Sequence, residues 1–217
     1  INGGHIGAID DSSRLSRIEG LASIRFSNRF SLSGRTSYEN LANNLQYVAA
    51  ADAGNSTRWL IGRIEQDTWN FTLRANLALT PDLTIQYYGS PFISAGHYMD
   101  FKRATQPLAD LYQDRFHEFT VDEIAFQGDT NRYVVSEGAG VPSYSFANPD
   151  FSFRQFRSNL VIRWECRPGS TLYVVWSQGR TNLDPRWDSA FSSNWRALWH
   201  QNPDNVFLIK FSYWLSP

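Results

Sequence analysis

The stretch Trp69-Asn-Phe-Thr-Leu-Arg-Ala-Asn-Leu-Ala-Leu79 decides the fold. One phase carries Trp69, Phe71, Leu73, Ala75, Leu77 and Leu79; the other carries Asn70, Thr72, Arg74, Asn76 and Ala78. Successive side chains of a strand point to opposite faces, so a strict period of two predicts a strand with one oily and one wet face. Outward from it the alternation recurs: Ala22, Ile24 and Phe26 against Ser23 and Arg25, and Phe30, Leu32, Gly34, Thr36 and Tyr38 against Ser31, Ser33, Arg35, Ser37 and Glu39. Leu83, Ile85 and Tyr87 repeat it, as do Leu160, Ile162 and Trp164, although Val161 breaks the polar phase and 171–176 is apolar on both faces. In the tail, Phe207, Ile209, Phe211, Tyr213 and Leu215 oppose Lys210 and Ser212. The segment 58–65 is apolar in both phases, and Tyr47 either extends the second strand or stands in a short one.

Ser27-Asn28-Arg29, Glu65-Gln66-Asp67, Thr80-Pro81-Asp82 and Arg167-Pro168-Gly169-Ser170 read as turns; where Pro precedes Asp or Gly, it presets φ for the bend. Strands joined so tightly pair antiparallel. The expectation is an all-β chain of roughly eight strands, with residues 1–217 forming a single region. Two stretches do not alternate. Residues 98–150 predict a short helix near 108–112, a hairpin and a Gly- and Pro-bearing run, and residues 181–204 predict a loop. Short turns on one side and long loops on the other fit an up-and-down transmembrane β-barrel, or the C-terminal part of a larger one.

Composition narrows the class. Lys+Arg 20 against Asp+Glu 21 gives a net charge of -1, which excludes a basic nucleic-acid footprint. No apolar run reaches helix-spanning length, which leaves barrel strands untouched, because alternating strands average out as polar. The chain begins at Ile1 without a basic and apolar leader, so either a signal peptide has been removed or, as favoured here, the chain is a piece of a longer protein.

A soluble β-sandwich, the alternative reading as a ligand-binding module, alternates too, with its apolar face turned inward. Two features favour the barrel in lipid. The polar phases mix Arg and Glu with Ser, Thr and Asn, as a wet interior would, and aromatics gather near strand ends (Trp69, Tyr87, Trp164, Trp176, Tyr213, Trp214). On this reading Arg25, Arg35, Arg74, Arg157, Arg163 and Glu165 line the lumen. Trp69, Phe71, Leu73, Leu77, Phe207, Ile209, Phe211 and Tyr213 face lipid. The Arg/Glu phase either braces the interior by ion pairing, the reading slightly favoured, or selects solutes by charge.

Candidate chemistry is thin. His5, His97, His117 and His200 lack metal-ligand spacing and read as solvated loop residues, and no metal or cofactor is expected. A Ser–His–acid set drawn from His97, Asp100 and nearby serines has nothing to fix its geometry, so no catalytic residue is assigned. Cys166, the one cysteine, reads as an inert thiol. Asp110, Asp114, Asp122, Glu123 and Asp129 lack the order of a calcium loop and read as a solvated face. Trp187, Trp195 and Trp199 read as packing residues in preference to sugar-stacking ones.

Several motifs occur in the order of a known bacterial family. They are Gly62-Arg-Ile-Glu-Gln66, Leu73-Arg-Ala-Asn76, Leu79-Thr-Pro-Asp82, Pro91-Phe-Ile-Ser-Ala-Gly96 leading to Asp100-Phe101, Asn148-Pro-Asp-Phe-Ser-Phe-Arg154, Ser158-Asn-Leu-Val-Ile-Arg-Trp-Glu165, Arg167-Pro-Gly-Ser-Thr-Leu-Tyr-Val-Val-Trp176 and Pro203-Asp-Asn-Val-Phe-Leu-Ile-Lys-Phe-Ser-Tyr-Trp-Leu215. From about residue 44 to its end the chain resembles the C-terminal barrel of DUF5916 proteins, which typically begin with a domain resembling family 9 carbohydrate-binding modules. The resemblance implies a non-enzymatic barrel in the bacterial outer membrane that passes solutes, glycan-derived ones among them, or anchors the carbohydrate-binding-like domain. The partners it implies are outer-membrane lipid, the barrel assembly machinery, and other envelope proteins or glycans. It implies no activity.

Overall fold

A computed structural model describes residues 2–7, 13–54 and 56–215, with the side chains described from residue 13 onward. The strands are β1 (Asn2–Gly7), β2 (Ser13–Arg25), β3 (Phe30–Asp52), β4 (Thr57–Thr80), β5 (Leu83–Ala104), β6 (Phe116–Glu118), β7 (Ile124–Gln127), β8 (Arg132–Val135), β9 (Tyr144–Ala147), β10 (Phe151–Arg167), β11 (Ser170–Asp184) and β12 (Asp204–Ser212). Two helices, α1 (Tyr112–Arg115) and α2 (Phe191–His200), complete the chain.

The chain is all-β and antiparallel. One large sheet runs in the order β1-β2-β3-β4-β5-β10-β11-β12, with β6 paired to β5 at one end. A separate three-stranded sheet joins β7, β8 and β9. Twelve strands form among the described residues, eight of them along the main path, where the alternation predicts roughly eight for the whole chain; Tyr47 lies on the continuation of β3. Closure does not follow: among the described residues β12 bonds to β11 alone and β1 to β2 alone, so the last strand does not meet the first. Tyr213 lies just past the end of β12.

Three predicted turns are present, at 26–29, 81–82 and 168–169. The Ser27 hydroxyl accepts from the Arg29 and Phe30 amides, each at 3.1 Å, and pins the first. Gly169 takes φ +80 in the third, where a Cβ would lie 2.9 Å from Trp214 Cβ, so glycine is required twice over. The fourth predicted turn is not one: Glu65, Gln66 and Asp67 lie inside β4, which runs unbroken for 24 residues. Residues 98–104 and 181–184 likewise belong to β5 and β11, not to loops. The short helix sits at 112–115, not 108–112, and 191–200, read as loop, is the ten-residue α2.

The three short turns share one end of the sheet. The connections 53–56, 105–150 and 185–203 share the other, since each strand reverses the direction of the last.

Candidate functional site

Residues paired across an antiparallel ladder lie on the same face. The pairs Tyr38–Trp69, Gly34–Leu73 and Phe30–Leu77, carried across by Trp69–Ile93, Leu73–Gly89 and Leu77–Ile85, set one face. Tyr87–Leu160, Leu160–Trp176 and Trp176–Phe207 extend it to β12. Trp69, Phe71, Leu73, Leu77, Phe207, Ile209 and Phe211 all stand on this face. The opposite face receives Arg25, Arg35, Arg74, Arg157, Arg163 and Glu165, through pairs such as Ser33–Arg74, Arg74–Tyr88 and Arg157–Ser90. Apart from Tyr213, which lies past β12, the two residue sets picked from the sequence thus fall on opposite sides of one sheet.

The apolar face is largely bare. Phe207 and Ile209 are 71% and 72% exposed, and Ile18, Ile24, Leu73, Leu79 and Trp164 are exposed as well. A soluble monomer seldom leaves so wide a contiguous apolar surface open.

Halfway along the strands the polarity reverses. On the face of Trp69, the next inward positions of β4 are Asp67, Glu65 and Arg63. The Asp67 carboxylate accepts from Tyr38 Oη at 2.6 Å and from Asn40 Nδ2 at 2.9 Å, which fixes a polar line above the Tyr38–Trp69 ring pair. On the opposite face the polar series gives way to Ile64 and Leu60, which are 3% and 0% exposed. There the small sheet packs down: Leu60, Phe101, Val135, Tyr144 and Phe146 form one buried cluster with Ala51 and Ala53. Below the line the apolar face is the bare one; above it the apolar face is the covered one.

An ion cluster clamps this outer lobe. Glu137, between β8 and β9, has a side chain 5% exposed and meets Arg103 Nε at 2.7 Å and Arg58 Nε at 3.4 Å. Tyr144 Oη donates to the same carboxylate at 2.5 Å. Burial first, and the hydrogen bond to Glu137 second, hold the Tyr144 phenol well above its ordinary range.

Helix α2 lies on the other side, at the upper border of the bare face. Phe191 contacts Trp69 and Phe71, Trp195 contacts Phe71, and Trp199 contacts Phe156. Trp69 and Phe71, assigned to lipid, are therefore partly covered by this helix. Its Asn194, fully buried, accepts from Arg154 Nε at 2.7 Å and donates to the Asp188 carbonyl at 2.7 Å. Arg154 also donates to Asn182 Oδ1 at 2.6 Å, so a buried polar web ties the helix to β10 and β11. Hydrogen bonds from Ser193 and the Ala190 amide hold the Asp188 carboxyl below the usual carboxylate range. The sequence did show a signal for this helix, since Phe191, Trp195 and Trp199 recur at every fourth position.

The remaining candidates are mostly fastenings. His97 Nδ1 meets Asp150 Oδ2 at 2.9 Å, Trp187 stacks on its ring at 4.5 Å, and Asp100 takes no part. His117 Nε2 meets Glu123 Oε1 at 2.9 Å, and His200 Nδ1 meets the Arg196 carbonyl at 2.7 Å. Glu123 also accepts from the Thr120 amide, which with His117 holds its carboxyl low; it is a loop clasp. His5 lies outside the residues whose side chains are described. Cys166 is exposed at the 168–169 turn, its thiol 3.5 Å from the Ser170 carbonyl. No three His, Cys, Asp or Glu side chains converge among the described residues.

These features define the class: an all-β protein built on one long antiparallel sheet whose two faces exchange polarity partway along the strands. The chain belongs to the DUF5916 family, a domain of unknown function, whose model matches residues 7–216. The match begins well before residue 44, from which the resemblance is read in the sequence. No curated protein and no solved structure matches the chain.

Proposed function

We propose that the chain is the wall of a β-barrel crossing a bacterial outer membrane, and that it acts without catalysis, passing solutes or anchoring a carbohydrate-binding-like domain. The polarity reversal carries this reading. A sheet in water keeps its apolar face covered throughout, whereas a strand that leaves a bilayer must present lipid-compatible side chains outward below the interface and a covered core above it. The dimensions agree. The ten steps from Trp69 to Leu79 span about 33 Å at about 3.3 Å each, and at a strand tilt of about 40° that is about 25 Å of height, the apolar band of outer-membrane barrels. Short turns at one end and the lobe-bearing connections at the other fit the same orientation.

The soluble sandwich requires a second layer on the bare face. Among the described residues only α2 lies there, and it covers only the upper border. Closure of the wall then needs a neighbour for β12. Lipid and the barrel assembly machinery are the partners this reading requires.

Fractionation tests it. The protein should sediment with outer membranes, resist salt and carbonate washes, and come off only in detergent; recovery in the soluble fraction would sink the barrel reading. Orientation is tested separately. Leu108 is 97% exposed and Val121 92% exposed in the long connection. Chymotrypsin added to intact cells should cut beside Leu108, and cleavage only after the outer membrane is opened would invert the topology.

A further inference from the structure

On the polar face two clefts lie side by side. One, of about 250 Å³, is lined by Ser33, Arg35, Thr72 and Arg74, with Leu21 and Gly34 at its side. The other, of about 160 Å³, is lined by Arg25, Arg29, Ser31 and Asn76 among others. Ser31 and Ser33 are same-face neighbours on β3, as Arg74 and Asn76 are on β4, so the clefts adjoin. Neither has a carboxylate in its lining. Of the four arginines only Arg35 makes an ion pair among the described residues, to Glu19 at 3.1 Å. Arg74 lies 5.5 Å from the Tyr88 ring centre, and Arg157, also without an ion pair there, sits three strands from Arg35 through the Arg35–Thr72 and Ser90–Arg157 pairs.

Several arginines elsewhere are ion-paired, and others, such as Arg132, Arg154 and Arg180, are held by neutral oxygens. Arg17 meets Glu19 and Glu39, Arg163 meets Glu165, and Arg58 and Arg103 share Glu137. Bracing therefore explains those groups but not Arg25, Arg29, Arg74 and Arg157. Like charges grouped without counter-charge repel, and the guanidinium fork is shaped for bidentate contact with carboxylate or phosphate. The hydroxyls and amides between them supply the neutral hydrogen bonds that such an anion's remaining oxygens require.

We propose that the two clefts form an anion-binding track that takes solutes bearing carboxylate or phosphate groups. The claim deepens the barrel reading by naming the solute class, and rests on that reading only for passage; binding belongs to the face itself.

The test is calorimetry on the full chain purified in detergent, with three probes: a hexamer of galacturonic acid, the neutral hexamer of galactose, and inorganic phosphate. The acidic hexamer should bind, with affinity falling as salt rises, and the neutral hexamer should not. Arg25→Gln with Arg74→Gln should weaken the acidic hexamer at least tenfold while leaving the thermal transition in place. Arg157→Gln, outside the two clefts but on the same face, gives a smaller loss and serves if the double variant does not fold. Phosphate that displaces the hexamer assigns recognition to the anionic charge alone; phosphate that does not assigns it to the carboxylated chain. Equal binding of the two hexamers, or unchanged binding by the double variant and by Arg157→Gln, overturns the proposal. A soluble protein that binds the acidic hexamer would overturn the barrel reading and leave the track standing. A membrane-integrated protein that ignores it would do the reverse.

Discussion

Leu73→Arg should destabilise the protein in lipid vesicles by about 2–4 kcal/mol, the penalty for a cation on the lipid face near the bilayer midplane. Leu73 stands in the middle of the Trp69–Leu79 series, on β4. Its cross-strand neighbours are Gly34 and Gly89, so no large side chain shields it and it remains exposed. Asn76→Arg, three positions on but on the polar face beside Arg25 and Ser31, should cost less than about 1 kcal/mol, as a solvated substitution does. Reversible unfolding of both variants from vesicles provides the comparison. Equal losses would remove the assignment of the two faces.

Glu137→Ala should loosen the outer lobe by about 3 kcal/mol, the low end of the range for removing one partner of a buried ion cluster, because Arg58 and Arg103 are each about one-fifth exposed. Both guanidiniums lose their counter-charge at once, and the Tyr144 hydroxyl loses its acceptor. Amide hydrogen exchange in β8 and β9 should accelerate more than 100-fold, since each 1.4 kcal/mol is about tenfold, while β4 between 69 and 79 keeps its protection. Glu137→Gln, which retains an acceptor for Tyr144 but no charge, should fall between. Unchanged exchange in β8 and β9 would show that the apolar cluster alone holds the small sheet down.

The alternation in 69–79 was legible because a bare face and a polar face demand period two whichever side water occupies. That identity of pattern is also why the sequence alone left lipid and water as rivals. The run Glu65-Gln66-Asp67 misled for a physical reason. Three polar residues between apolar segments look like a turn, yet in β4 they mark the level where the face of Trp69 becomes charged while the chain continues straight. The ambiguous pattern of 58–65 has the same origin, since above that level Leu60 and Ile64 are buried, Leu60 against the small sheet, while Trp59 stays exposed. Helix α2 hid among Asn, Asp and Pro, although its aromatic residues recur at every fourth position. The partners of His97 and Glu137 were out of reach, because Asp150 and Arg58 lie 53 and 79 positions away in the chain, and only the sheet register brings them together.

The central claim is that the apolar face below Trp69 meets lipid. A nitroxide scan from 69 to 79, with Cys166 replaced by serine and one cysteine introduced at a time, tests it most directly in the membrane-embedded protein. Collisions with oxygen report contact with hydrocarbon, and collisions with a water-soluble nickel chelate report contact with water. A face in lipid gives opposite phases: oxygen maxima at 73, 75 and 77, and nickel maxima at 72, 74 and 76. Low values for both quenchers at 73, 75 and 77, the signature of a face buried against a second protein layer, would contradict it.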